Sequence, residues 1–238
     1  MDNFYCAYPE LKNKSLKWAT HDSLKLFNYH KSNKKTAKLL KSLGWHENSI
    51  EYKFNSNGFR SEEFDSEGNS IVFLGCSHIL GTGLDLPSTA AHIVSKQLGY
   101  KCFNLGLNGG CSDTCFRFAY YWLPKLKPKI TVLMQPQKER FELFHFDKLI
   151  QMLGNDMSKP YTSFYKSWLS VDLNSELNYQ KNLLAIKNIC DTNNIKFVHV
   201  NNIFANNKIA TARDLAHAGR EPNKLKAQEI LNIINKKY

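Results

Sequence analysis

The chain has 238 residues, 42% of them hydrophobic and 22% charged, with a formal net charge of +11. That is enough for one domain with a sizeable core, and the composition is that of a globular protein, not of a disordered or fibrous one. No window reaches the roughly 20 apolar residues of a membrane span. The start, Met1-Asp2-Asn3-Phe4-Tyr5-Cys6, has no basic and then apolar leader, so the expectation is a cytoplasmic protein with reduced thiols.

Residues 1–68 read differently from the rest. Leu16 to Leu43 mixes helical apolar spacing (Leu24 and Phe27, then Leu39, Leu40 and Leu43) with many lysines, which predicts one or two amphipathic helices. Glu51-Tyr52-Lys53-Phe54 alternates as a strand does. The following Asn55-Ser56-Asn57-Gly58-Phe59-Arg60 is turn-rich and predicts a hairpin leading into the core. The chain is therefore divided into an N-terminal extension over 1–68, helices and a hairpin packing on the core, and a main domain over 69–238.

From Asn69 onward strands and helices alternate. Ile71–Leu74 is a short apolar run that stops at Gly75, as a buried parallel strand does. Ser88–Leu98 is a predicted helix, with Ser88 as its cap and Gly99 as its end. Lys101–Leu105 is a strand, Asp113–Leu126 an aromatic-rich helix stopped by Lys127-Pro128, and Ile130–Met134 a third buried strand. Pro136 to Asp172 is a variable region of helical pieces and aromatics. Ser175–Asn193 is a helix, Lys196–Val200 a fourth strand, and Pro222–Lys236 a closing helix with proline in its first turn. The pattern predicts an α/β fold, a three-layer α/β/α sandwich around a mostly parallel sheet.

Ligands of such folds sit at the carboxyl ends of the strands. Ser77, in Gly75-Cys76-Ser77-His78-Ile79-Leu80-Gly81, falls at one of those ends. Leu105-Gly106-Leu107-Asn108-Gly109-Gly110 follows the next strand, and Asp214-Leu215-Ala216-His217 lies just before the last helix. These three segments, in this order, resemble the SGNH (GDSL-type) hydrolase superfamily. The resemblance implies a Ser77–His217–Asp214 triad, in which His217 takes the serine proton and Asp214 fixes the imidazole. It also implies an oxyanion hole built from the N–H groups of Ser77 and Gly109, with Asn108 a further amide nearby. The implied activity is hydrolysis of an ester, an O-acetyl or short-acyl group on a carbohydrate or small molecule, without metal or organic cofactor. A non-catalytic binding or structural module on the same scaffold is the alternative.

Two departures from the family pattern stand out. Cys76 occupies the aspartate position of the family's Gly-Asp-Ser block. The Gly-x-Asn-Asp block after the third strand is missing, and Met134-Gln135-Pro136-Gln137 stands in its place, so Gln135, or failing that Gln137, is the expected amide donor. Cys76 is a rival nucleophile by chemistry, yet neighbouring side chains in extended structure point apart and the resemblance selects Ser77; His78 reads as a pocket-wall or solvated residue and not as a second base. The positive charge is nearly all lysine, with arginine only at Arg60, Arg117, Arg140, Arg213 and Arg220. Spread in this way it predicts a solvated surface and no specific nucleic-acid partner. The six cysteines, Cys6, Cys76, Cys102, Cys111, Cys115 and Cys190, have no zinc-like spacing. Oligomeric state is not readable.

Overall fold

The computed structural model describes residues 2–19, 21–65, 69–145, 148–153, 161–205 and 210–238. Its centre is a four-stranded parallel sheet of β3 (Ser70–Gly75), β4 (Lys101–Gly106), β5 (Ile130–Met134) and β8 (Lys196–Val200), in the order β4-β3-β5-β8. Both faces are covered, which is why the inner strands β3 and β5 are apolar runs buried at every position. On one face α4 (Ala90–Leu98) and α8 (Arg220–Lys237) close over Ile71, Phe73, Val132 and Val198. On the other, α5 (Ser112–Leu126) and α7 (Asp172–Thr192) close over Val72, Leu74, Leu105 and Leu133. The alternation within β3 sends Ile71 and Phe73 to one layer and Val72 and Leu74 to the other. The fold is thus the three-layer α/β/α sandwich with a parallel sheet. Among the described residues no helix is long and apolar enough to cross a membrane.

The predicted elements recur with small shifts of boundary. The cap of α4 is Thr89, whose Oγ1 accepts from the His92 N–H, while Ser88 ends a preceding 3₁₀ turn. Gly99 ends α4 at φ +66°, a left-handed position that suits glycine. The lysine-rich N-terminal segment forms two helices, α1 (Leu24–Ser32) and α2 (Lys34–Ser42), capped by Ser23 and Asn33.

Two predicted regions come out differently. The strand over Tyr52–Lys53 (β2) pairs antiparallel with Ser15–Leu16 (β1), upstream of the helices, and not with a segment after the turn. Asn55 holds that turn as a loop, its Oδ1 accepting from the N–H groups of Asn57 and Phe59. In the Pro136–Asp172 region, expected as helical pieces, the described residues hold an antiparallel hairpin, β6 (Phe141–His145) with β7 (Lys148–Met152), followed by α6 (Thr162–Leu169). What makes β6 a strand is distant: Glu142 reaches Arg117 and Thr114 on α5.

The N-terminal segment packs on the sandwich through its own apolar cluster. Phe27, Leu40, Trp45, Ile50, Tyr52 and Phe54 meet Leu84 and Ala212 there. Both of those partners lie in loops at the carboxyl end of the sheet.

Candidate active site

β3 delivers the chain to the site with no room for error. A Cβ on Gly75 would lie 2.6 Å from Ile79 Cγ1, so a larger residue would push away the turn that follows. After Cys76 a single helical turn, α3 (Ser77–Leu80), begins, closed by Gly81 in the left-handed region. Gly106 lets this turn lie directly on β4, because a Cβ there would come within 2.3 Å of the Leu80 nitrogen. Buried Asn104 fixes the turn from β4, donating to the Ile79 carbonyl at 2.6 Å and accepting from the Gly106 N–H at 2.9 Å. Arg60 fixes it from the opposite side. Its guanidinium donates to the carbonyls of Glu51, Leu80, Gly81 and Leu84 and, among the described residues, pairs with no carboxylate. Burial lowers its pKa to about 10.

Ser77 Oγ, nearly buried, lies 2.8 Å from His217 Nε2. His217 Nδ1 in turn lies 2.5 Å from Asp214 Oδ2. With a carboxylate on Nδ1, the tautomer the network selects carries the proton there and leaves Nε2 free to accept from the serine. Asp214 Oδ1 accepts the N–H groups of Ala216 and His217, at 3.1 and 3.0 Å. Burial alone would raise the Asp214 pKa; the His217 ring and these two N–H groups reverse that and hold it below the ordinary carboxylate value.

The loop carrying the acid and the base is tightly built. Ala212 N–H bonds the His217 carbonyl at 2.8 Å, and Leu215 sits at φ +54° between them. Arg213 bonds Gly83 through its N–H and carries its side chain away from the cleft into the N-terminal segment. There it pairs with Asp22 and donates to the carbonyls of Lys17 and Glu47. Trp45 Nε1 donates to the Thr211 carbonyl at 2.9 Å. The Tyr52 hydroxyl links Asp22 to the Gly83 N–H.

The dyad opens on a cleft of about 880 Å³, whose wall includes Asn108, Gly109, Gln137, Arg140, His21 and Leu26. Gly109 sits at φ +72°, with Leu153 against it. The N–H groups of Ser77 and Gly109 donate to no other group among the described residues, whereas the Asn108 N–H is taken by the Tyr8 hydroxyl at 3.0 Å. The two glutamines expected near the serine part company. Gln137 is on the cleft wall, and Gln135, whose N–H extends the ladder to Val200, is not among the residues lining it. Cys76 is buried at the start of the turn, and the nitrogen of His217 that faces the turn is bonded to Ser77. His78 stacks on Phe204, ring centroids 4.7 Å apart, and meets the His217 ring at 5.3 Å. Burial foremost, with the charge of His217, lowers its pKa to about 4, so it is neutral near pH 7.

Sequence reading missed Asn104, Arg60, Arg213 and Asp22, the residues that hold the candidate triad in place. The signals were present but faint: an arginine inside a turn motif just before the nucleophile strand, and an arginine immediately preceding the acid.

No family model matches the chain, and no curated protein matches it. Among solved structures it is similar to the SGNH-hydrolase family esterase AlinE4, at 15% identity over 68% of this chain and 80% of that one, TM-score 0.38. An esterase, EstA from Pseudoalteromonas sp., solved with monoethylphosphonate, is similar at 14% identity over 71% and 98% of the two chains, TM-score 0.37. An acetyl xylan esterase, AlAXEase, is similar at 13% identity over 69% and 99%, TM-score 0.37.

Proposed function

We propose that the chain is a serine ester hydrolase acting through Ser77, His217 and Asp214. The observation that carries this reading is the continuous hydrogen-bonded chain from Ser77 Oγ through both imidazole nitrogens to a buried carboxylate. A nucleophile, a base within hydrogen-bond reach and a third group orienting the base are what covalent acyl transfer requires.

In this mechanism Ser77 Oγ attacks the ester carbon while its proton passes to His217 Nε2. The carbonyl electron pair moves to oxygen, where the N–H groups of Ser77 and Gly109 meet it. Collapse of the adduct breaks the bond to the alcohol oxygen, which takes the proton from His217. Water then attacks the acyl-serine and gives a proton to His217; the Ser77 Oγ–carbon bond breaks, His217 returns that proton to Ser77 Oγ, and a carboxylic acid leaves. Asp214 stays ionised throughout and stabilises the imidazolium. Asn108 and Gln137 are the side-chain amides placed to add a further donor. A cleft of about 880 Å³ suits a short-acyl or O-acetyl ester of a small molecule or a sugar.

The test is covalent labelling with a fluorophosphonate probe alongside turnover of short-chain aryl esters. Wild type should label at Ser77 and turn over; Ser77→Ala should do neither, and His217→Gln should lose at least about 10³-fold in kcat. A folded wild type that neither labels nor turns over any ester leaves the binding-module reading standing instead.

A further inference from the structure

We infer that the ester substrate is an anion, and that Arg140 is the receptor for its carboxylate, sulfate or phosphate group; this rests on the hydrolase reading above. The contrast among the five arginines carries the argument. Arg60 donates through both terminal nitrogens to four backbone carbonyls, with only its Nε unbonded, Arg117 is paired with Glu142, Arg213 with Asp22, and Arg220 with Asp85. Arg140, on the wall of the cleft that holds Ser77 and His217, has no carboxylate or carbonyl partner for its guanidinium among the described residues. Its Nε is buried and unbonded.

A guanidinium whose buried Nε has no acceptor is costly to the free protein, because the hydration lost there is not replaced. The same guanidinium matches two oxygens of a carboxylate or phosphate in one plane. The other charged groups on the cleft wall do not satisfy it. Asp214 is consumed by His217 and two N–H groups. Glu139 is exposed, on the ridge shared with the neighbouring hollow that holds Lys138 and Glu176, and makes no ion pair with Arg140. The Arg140 charge is also felt beside the nucleophile. It is among the charges that, after burial and His217, keep the imidazole of His78 neutral.

Two matched ester pairs test this, one with the charge on the acyl side and one on the alcohol side. They are para-nitrophenyl hemiadipate against para-nitrophenyl hexanoate, and para-acetoxybenzoate against para-acetoxybenzamide. The readout is the anionic-to-neutral ratio of kcat/KM in Arg140→Gln relative to wild type, so intrinsic reactivity and any general loss of activity cancel. The ratio for at least one pair should fall about 10- to 100-fold in Arg140→Gln, with Arg140→Lys between the two. Calorimetric binding of adipate at low salt is independent of turnover. It should be detectable in wild type, weaken as ionic strength rises, and be lost in Arg140→Gln. Ratios unchanged by Arg140→Gln, with adipate binding absent or unaltered, overturn the assignment while leaving a functioning hydrolase. If no ester turns over and the fluorophosphonate spares Ser77, the hydrolase reading falls, and adipate binding alone decides the role of Arg140.

Discussion

Breaking the Arg213–Asp22 pair tests whether the acid-and-base loop is held in place from outside. The two side chains are 0% and 1% exposed, joined at 2.6 Å, with two further contacts from Arg213 Nε to the same carboxylate at 3.0 and 3.2 Å. Asp22→Asn leaves a buried guanidinium without its counter-charge, and Arg213→Met leaves a buried carboxylate with only the Tyr52 hydroxyl. Removing one partner of such a pair costs about 3–5 kcal/mol, whereas removing both costs much less than the sum. With a urea m-value of about 2 kcal/mol/M, each single variant should lower the unfolding midpoint by about 1.5–2.5 M. The double variant should recover at least about 2 kcal/mol of the summed loss. Because Arg213 directly precedes Asp214, kcat/KM per folded molecule should also drop, by about 10- to 100-fold, as the loop shifts by a fraction of an ångström to an ångström. The assays are equilibrium urea melts of all four proteins and ester turnover well below each midpoint. Single costs under about 1 kcal/mol, strictly additive costs, or full activity in the folded fraction of both single variants would refute the reasoning.

Gly83 sits at φ +75°, and an added Cβ would lie 2.8 Å from the Ala212 Cβ and 3.2 Å from Asp214 Oδ1. Gly83→Ala should therefore cost about 1–3 kcal/mol and lower kcat; a variant as stable and active as wild type would show that the loop yields freely. The His78 pKa is about 4 in the folded chain and near 6.5 when unfolded, so between those values the unfolded state binds a proton that the native state refuses. This contribution to stability is complete above about pH 6.5 and is lost as pH falls toward 4, by at most about 3 kcal/mol and less where the partly exposed ring is screened. His78→Phe, which keeps a ring against Phe204, should flatten that part of the urea-midpoint profile, and an unaltered slope would count against it. Gln137→Ala should lower kcat by about 10²–10³ with little change in KM, and Gln135→Ala should stay within about threefold. If Gln137→Ala is silent, the oxyanion is met without it.

Much of the scaffold is legible in the sequence because the parallel sheet writes itself locally. Ile71–Leu74 and Ile130–Met134 are apolar runs of strand length, buried at every position, while Lys196–Val200, at the sheet edge, buries Phe197, Val198 and Val200 and exposes Lys196 and His199. The candidate residues Ser77, Asp214 and His217 stand out for a different reason: each lies in a short segment whose resemblance to a known family is carried by neighbouring residues. What stays hidden is whatever depends on a distant partner. Phe141-Glu142-Leu143-Phe144 gives no clear strand signal on its own, since its charged residue is held by Arg117, 25 positions upstream. Arg60 reads as a solvated loop residue until four carbonyls, from Glu51 to Leu84, are seen to converge on it. Arg213 looks like one more surface cation, and its carboxylate lies 191 residues away.

These hidden contacts divide the site into two parts with different supports. Ser77 and Gly109 stand on the sheet itself, at the ends of β3 and β4, held by Gly75, Gly106 and Asn104 through contacts that persist as long as the sandwich does. Asp214 and His217 stand on a loop that bonds Gly83 through the Arg213 N–H and whose other anchors, Asp22, Lys17, Glu47 and Trp45, lie in the first 68 residues. His21 and Leu26, from the same segment, form part of the cleft wall. A protein trimmed to residues 69–238 would keep Gly75, Gly106 and Asn104 beneath the candidate nucleophile and lose Arg60 from its turn. It would also leave the Arg213 guanidinium unpaired and the Leu84–Ala212 surface bare, so the loop carrying the candidate base would lose its side-chain anchors. Fluorophosphonate labelling depends on that base, whereas the retention of α/β secondary structure does not. Loss of labelling in a trimmed chain that still folds is therefore the result expected if the N-terminal segment works as the outer half of the active site.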